Sequence, residues 1–591
     1  MPKTAKDYFG QHGFRHAWSI DFEFVVPPGH KPTPICMAAK CAITGQTIKL
    51  WGDELNHCPF ACDDSELFIA YYACAESACF DVLGWPRPRR MLDLYAEFRC
   101  ATNGAGTAHG NGLIGALLHF GLPTIGSEEK KAMQDLAIRG GPWSDQERVV
   151  LMDYCESDVD AVLRLLGPLL GAIGRSGGDF GRALLRGRYM VALGIVVNNG
   201  IPIDIELQNR MIHHWSAIMQ NLISEVDKNF GIYDNGRFVQ ARFEAYLANN
   251  NIPWPRLATN RLKLDDETFR QYAKLYPTVA PLHQLRHALG QLRLSSIAVG
   301  PDGRNRAMLS AFSSKTGRNQ PSTSSFIFGP SVWIRNLIKP GHGRAIAYVD
   351  WSSQEIAVAA ALSNDALLWA AYESGDPYLA FAKQAGIIPQ DATKESHPEA
   401  RQQCKAIVLG LNYGMMPQSM SAQSGVHIER ARQLLQLHKA TYRTFWAWAD
   451  ANVDHALMGL PLLTVFGWRI HFPHGRGLEL NPRSLLNWPM QSHGAEMMRL
   501  AVSMAVEEGL MVCAPVHDAL LIEAPIDDIE KHTARLSEIM ADASEMVLGA
   551  GKRCRTDAKI TRYPDRFEDE QRGAPMFSII MKLLRQAETQ K

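Results

Sequence analysis

The stretch Met511–Ala524, MVCAPVHDALLIEA, constrains the fold most: two apolar runs flank His517-Asp518. Runs of this length around a polar pair predict a β-hairpin with the acid at its tip. Aspartate favours turns on its own account, so the pair by itself is equally well explained by turn chemistry. A second stretch, RAIAYVDWSSQEIAVAAALS, predicts a strand running into a helix. Asp350 closes that strand. Ser352 or Ser353 is placed to cap the helix, and Glu355 falls in its first turn, where a negative charge meets the positive helix end. Two carboxylates are therefore expected at the ends of apolar strands far apart in the chain.

With 591 residues, 46% of them hydrophobic, the chain exceeds one core, and about three or four domains are expected. Residues 14–100 read as short apolar strands and helices, and 146–172 as a helix with leucine and valine at mixed three and four spacing. Residues 175–182 read as a junction, 204–248 and 263–295 as largely helical, and the chain from 326 onward as alternating strands and helices. The glycine-rich GAGTAHGNG (104–112) matches neither a dinucleotide nor a phosphate-loop pattern and is read as a loop. Formal net charge is zero, from 61 basic and 61 acidic residues. Nucleic-acid binders usually carry a basic excess, so any such surface here must be local. No run of 18 or more uncharged apolar residues exists, so no membrane partner is expected. The opening MPKTAKDYFGQHGF has no apolar signal core. Eleven cysteines without such a signal suit a reducing compartment. Cys36 with Cys41, and Cys58 with Cys62, lack the paired spacing of zinc sites and are read as small buried hydrophobes.

Acids also gather in the N-terminal third. Asp21 and Glu23 stand at i and i+2 in WSIDFEF, which on a strand points both carboxylates to one face. Glu76 follows the apolar LFIAYYA, and YCESD sets Tyr154 and Asp158 at i and i+4 on one helix face. In this order the residues resemble the three motifs of the DnaQ-like proofreading exonucleases. The resemblance implies that Asp21, Glu23, Glu76 and Asp158 hold two divalent ions and that Tyr154 orients the attacking water. The second motif departs from the usual AHNxxFD: Tyr71 and Tyr72 replace histidine and asparagine, and the acid is Glu76. Asp81, in CFDVLGW, fits the letters but lies five residues later, so Glu76 is expected to be the ligand.

A basic helix lies between the two strand-end carboxylates. In HPEARQQCKAIVLGLNYGM, Pro398 suits a first helical turn, and Arg401, Lys405 and Leu409 share one stripe. A triphosphate needs such fixed cations. The spacing R-x3-K-x3-L-G-x2-Y-G, ending in Tyr413-Gly414, resembles the fingers helix of family A DNA polymerases, with Leu409 where phenylalanine or tyrosine is usual. Around Asp350, D-W-S-x-x-E resembles the first palm motif of that family, and His517-Asp518-Ala519 its HDE motif, with alanine replacing glutamate. TGRNQPS matches a third segment, with Arg318 at the primer terminus. NWPMQSHGAE matches a fourth, with Asn487 and Gln491 as template or minor-groove contacts and Ser492-His493 as a departure.

The resemblance implies an α/β and α+β multidomain chain. An RNase H-like 3′→5′ exonuclease domain over 1–180 precedes a helical thumb over 181–310, then palm and fingers over 311–591 with fingers near 366–450. It further implies template-directed DNA synthesis with proofreading. Asp350 and Asp518 would hold Mg²⁺, two ions per site with Mn²⁺ as an alternative, Arg401, Lys405, Leu409 and Tyr413 would meet the nucleotide, and His517 would be a substrate contact. Glu355 would block a ribose 2′-hydroxyl, which speaks against the rival reading of a single-subunit RNA polymerase. A DNA-binding protein with decayed sites would have lost carboxylates that are all present. Primer-template DNA, dNTPs and replication accessory proteins are the expected partners. A bacteriophage or prophage origin, a cytoplasmic location in a bacterial host, and a start at the exonuclease with no 5′ nuclease before it are also expected.

Overall fold

The strand His16–Val25 (β1) sets the N-terminal architecture, because its side chains alternate between two apolar layers. In the computed structural model, residues 5–589 are described, except 125–126, 176–179, 258, 291–293, 330–331, 413–415, 425, 473–480 and 570–572. β1 is joined by β2 (Thr33–Cys41), β3 (Thr47–Trp51), β4 (Glu66–Ala70) and β5 (Met91–Asp93) in the order β3-β2-β1-β4-β5. The β1–β2 and β2–β3 pairs are antiparallel, and β1–β4 and β4–β5 are parallel. Trp18, Ile20 and Phe22 point to one face and join a core with Phe60, Phe68, Phe80 and Trp85. Ala17, Leu67, Ile69 and Leu92 point to the other and pack with Val162, Leu165 and Leu169. Those last residues belong to the long helix α3 (Asp145–Arg175), which follows α1 (Cys74–Val82) and α2 (Leu94–Thr102). The parity of β1 therefore turns Ser19, Asp21 and Glu23 towards α3. Ser19 Oγ donates to Val159 O at 2.9 Å, and Cys155 Sγ to Asp21 O at 3.3 Å.

A second sheet forms around β6 (Arg344–Trp351). With β7 (Met511–Val516), β8 (Ala519–Pro525) and β9 (Thr556–Arg562), it has the order β7-β8-β6-β9, antiparallel throughout. The β7–β8 hairpin turns on His517-Asp518, as its apolar runs predict. Glu523, in the buried β8, is satisfied by Arg304 Nη2 at 2.6 Å and Arg344 Nε at 2.9 Å. The predicted helical middle contains helices at Ile205–His213, Trp215–Asp227, Gln240–Asn249, Asp266–Leu275 and Ala280–Gly290. The region 366–457 is built of helices at Ala366–Glu373, Pro377–Gln384, Pro398–Asn412, Pro417–Ser424, Ile428–Thr441 and Arg443–Leu457. Among the described residues no helix is long and apolar enough to cross a membrane.

One helix ties the two sheets together. α4 (Phe180–Asn199) packs on α1 and β5 on one side, and on β7 and the helix Pro482–Glu507 on the other. The approach is close enough to require glycine: a Cβ on Gly187 would stand 1.9 Å from Met91 O, and one on Gly194 2.6 Å from Cys74 O. A buried ion pair fixes the same junction. Arg186 on α4 donates from Nε and Nη2 to Glu97 on α2 at 2.6 and 2.8 Å, and from Nη1 to Phe466 O at 3.1 Å. Removing one partner leaves an uncompensated charge, whereas removing both is far less costly. Arg186→Leu is therefore expected to destabilise by about 3–5 kcal/mol in urea unfolding, and the Arg186→Leu/Glu97→Leu double variant to recover most of the loss. A double variant no more stable than the single one would refute this.

Candidate active sites

The alternation of β1 and the pitch of α3 bring the first acidic group together. Asp21 and Glu23 from β1, Glu76 from the first turn of α1, and Tyr154 and Asp158 from α3 all line one cavity of about 760 Å³. Glu76 is only 5% exposed, and its Oε2 has no hydrogen-bond partner. Burial, then the neighbouring Asp21, pushes its carboxyl well above the ordinary range. Burial and the nearby Asp158 and Glu23 push the Tyr154 phenol up in the same way. Asp81 lies elsewhere. It is exposed further along α1, about 140° around the helix at ~3.6 residues per turn, and accepts from Asn198 Nδ2 at 2.8 Å. Tyr71 and Tyr72 also wall the cavity; Tyr71 Oη donates to Asn111 O at 2.5 Å, and Tyr72 takes a left-handed φ of 78°.

The second acidic group sits at one end of the second sheet. Asp350 on β6 is the cross-strand partner of Ala519 on β8 and of Asp557 on β9. Trp351 N–H donates to Asp518 O at 3.2 Å, holding the hairpin tip against β6. Burial, then Asp518 and Asp557, pushes Asp350 up to about 7. Asp557 escaped the sequence reading because its strand, TDAKITR, is polar and mostly exposed and shows no apolar alternation. Its carboxylate accepts from Ser352 Oγ at 2.5 Å. The expected serine cap does not form: Ser353 precedes the helix α5 (Gln354–Ser363) with a left-handed φ of 54° and makes no capping bond. Ser352 is drawn to Asp557, and the Ser353 hydroxyl to Tyr378. Glu355 lies half-buried in the first turn of α5, as expected.

The basic helix α6 (Pro398–Asn412) starts at its proline, as the sequence predicts. The Arg401 guanidinium and Lys405 ammonium lie 5.7 and 5.9 Å from the Tyr378 ring centroid, so both cations share one aromatic face. Arg401 also pairs with Asp376. The backbone of Leu409 continues α6, while its side chain and Tyr413 lie outside the described residues. Arg318 and His517 meet in a separate cavity of about 500 Å³, with Arg335, Arg499 and Asn319. Arg335 there has no counterpart in the motif reading. His517 takes a left-handed φ of 58°, and burial lowers its imidazole pKa. Asn487 and Gln491 lie half-buried on α7 (Pro482–Glu507). Ser492 and His493 continue that helix: Ser492 Oγ donates to Trp488 O at 2.7 Å, and His493 Nε2 accepts from Val465 N–H at 3.3 Å.

Carboxylates are the hard oxygen donors that Mg²⁺ takes. The buried Glu76 Oε2 and Asp350 Oδ1, each without a hydrogen-bond partner, are acceptors that a cation would satisfy. As placed, no three His, Cys, Asp or Glu side chains among the described residues stand close enough together to hold a metal ion.

Comparison with known proteins agrees with the second site. The profile of DNA polymerase family A matches residues 329–559. DNA polymerase I of Chloroflexus aurantiacus is 25% identical over 370 residues, which is 58% of this chain and 39% of that protein. The thermostable DNA polymerase I of Thermus thermophilus is 27% identical over 218 residues, 35% of this chain and 26% of that protein. The matched stretches thus span well under half the length of these relatives. The fold is similar to that of the polymerase domain of Pol1 from M. smegmatis, solved in complex with DNA primer-template and dNTP. There the TM-score is 0.70 at 18% identity, covering 95% of this chain and 98% of that one.

The like charges at the second site have a measurable cost. Asp350 is raised above its unfolded value, so its contribution to stability is present at low pH and lost as pH rises through about 7. Above that point Asp557 repels an ionised neighbour. Asp557→Asn is expected to raise the melting midpoint in EDTA at pH 8 and to leave it unchanged at pH 5.5. Equal midpoints for variant and wild type at pH 8 would contradict the repulsion.

Proposed function

From the premise that residues 329–559 are a family A DNA polymerase domain, we propose that the chain extends a DNA primer from dNTPs on a template and trims 3′ ends in its first cavity. The observation that carries the reading is the convergence of Asp350 and Asp518 at one end of the second sheet, inside the family-matched stretch. In this reading residues 311–591 are palm and fingers, with the helices between 366 and 457 as fingers, 181–310 the thumb, and 1–180 an RNase H-like exonuclease domain. The order β3-β2-β1-β4-β5, with a carboxylate pair on its central strand, supports the last assignment.

The reaction is attack of the primer 3′-hydroxyl on the α-phosphorus of the dNTP, with pyrophosphate leaving. Asp350 and Asp518 would hold two Mg²⁺, which would lower the pKa of the attacking hydroxyl and neutralise charge on the leaving pyrophosphate. Arg401 and Lys405 bind the triphosphate; Arg401 exchanges its Asp376 partner for phosphate as it does so. Leu409 and Tyr413 are assigned to the nucleotide by their motif spacing. Glu355 occupies the space a 2′-hydroxyl would need. Arg318, His517, Asn487 and Gln491 hold the primer terminus and test base-pair geometry through minor-groove acceptors, which every base pair presents. In the first cavity Asp21, Glu23, Glu76 and Asp158, which as placed are too far apart to share an ion, would have to draw together around the ions of the hydrolytic reaction, and Tyr154 would orient the water.

Asp350→Ala and Asp518→Ala should each abolish extension of a labelled primer while leaving primer-template affinity by fluorescence anisotropy within about twofold, since DNA affinity rests mainly on phosphate contacts. Extension above background by either variant would remove that residue from the mechanism. For the first cavity, Glu76→Ala should stop degradation of a labelled single strand and Asp81→Ala should not. Loss confined to the Asp81 variant would overturn the assignment.

A further inference from the structure

One segment serves both cavities. Met308, Ser310 and Ser313 wall the first; Gly317, Arg318 and Asn319 wall the one that holds Arg318 and His517. The two ends are only a few residues apart, and the backbone between them is not relaxed. Ser310 and Phe312 take left-handed φ values of 47° and 55°, which a non-glycine residue keeps only when its surroundings enforce it.

Part of the enforcement comes from the N-terminal unit, beside the Gln320 N–H on Ser310 O at 3.1 Å and Arg499 over the Phe312 ring. On α2, Arg99 donates from Nε to Phe312 O at 3.2 Å and from Nη2 to Ser313 O at 3.1 Å. The Tyr95 hydroxyl lies 3.3 Å from Ser313 Oγ. Just beyond α2, Asn103 Nδ2 donates to Lys315 O at 2.7 Å, where the indoles of Trp468 and Trp488 also donate. Arg318 follows at once, its N–H donating to Ser314 Oγ at 2.8 Å. Arg99 thus bonds the carbonyl of the left-handed Phe312 and that of its neighbour Ser313. It touches neither palm carboxylate nor fingers.

We propose that Arg99 is a positioning residue for primer-end binding at both sites: by fixing the carbonyls of Phe312 and Ser313, it sets where Arg318 stands in one cavity and where Met308, Ser310 and Ser313 stand in the other. This rests on the reading of the two cavities given above. The N-terminal unit then contributes to DNA synthesis through this contact, independently of its own carboxylates.

The test is steady-state single-nucleotide incorporation, together with degradation of a single strand, by wild type, Arg99→Ala and Arg99→Lys. Arg99→Ala should raise the KM for primer-template by roughly tenfold, the scale of one lost hydrogen bond to a charged group, with kcat within about twofold, and should slow degradation as well. Arg99→Lys, which keeps one donor to one carbonyl, should recover part of both. A purely structural defect would instead lower the active fraction, and with it kcat, leaving KM unmoved, and would overturn the proposal. So would wild-type KM and degradation rate in a folded Arg99→Ala protein, or loss of one activity only. A wild-type chain that does not extend primers would fail the underlying reading instead.

Discussion

The arrangement depends on two carboxylates held together against their own repulsion. Nothing in isolated strand physics brings Asp350 beside Asp518. The antiparallel register of β6 with β8 does, because Asp350 opposes Ala519 and the two-residue turn puts Asp518 next to it. Apolar burial on both faces holds the strands together, with Val349, Leu520, Leu521 and Ile522 fully buried, and the buried Glu523 favours this register because in it the carboxylate meets Arg304 and Arg344. Trp351, itself buried, clamps the tip from its backbone N–H and anchors its indole on Met540 O at 3.2 Å. The sheet thus supplies the free energy that keeps the charges close, and a divalent cation is the species that would relieve them.

The N-terminal unit solves the same problem with different geometry. Strand parity turns Asp21 and Glu23 towards α3, and helical pitch returns Tyr154 and Asp158 to them. Glu76 enters from a third element, under α4. That helix is shared with the second sheet, through glycines at its contacts and through Arg186 buried on Glu97. The first cavity is therefore not a free-standing module: its wall, its neighbouring helix and its ion pair all reach into the other half of the molecule.

Much of this was legible in the sequence wherever a side chain's position follows from local periodicity. The β7–β8 hairpin, the pairing of Asp21 with Glu23, the start of α6 at Pro398, and the approach of Glu76 to the first cavity all rest on spacing within one or two adjoining elements. What was hidden depends on partners distant in the chain. Asp557 reaches Asp350 only through a polar edge strand that no apolar pattern announces. Tyr378 lies under Arg401 and Lys405 because the helix Pro377–Gln384 packs on α6, and Arg401 pairs with Asp376 for the same reason. The serine cap failed because a left-handed Ser353 and the pull of Asp557 on Ser352 outcompete the helix end. The Leu409 side chain and Tyr413 lie outside the described residues.

The central claim is that the carboxylates at the end of the second sheet form the site of nucleotide addition. The most direct measurement is anomalous diffraction from Mn²⁺ in crystals of the chain with a dideoxy-terminated primer-template and the next dNTP. The account predicts anomalous peaks between Asp350 and Asp518, with the triphosphate against Arg401 and Lys405. Well-ordered nucleotide elsewhere, with no peak at these two carboxylates, would contradict it.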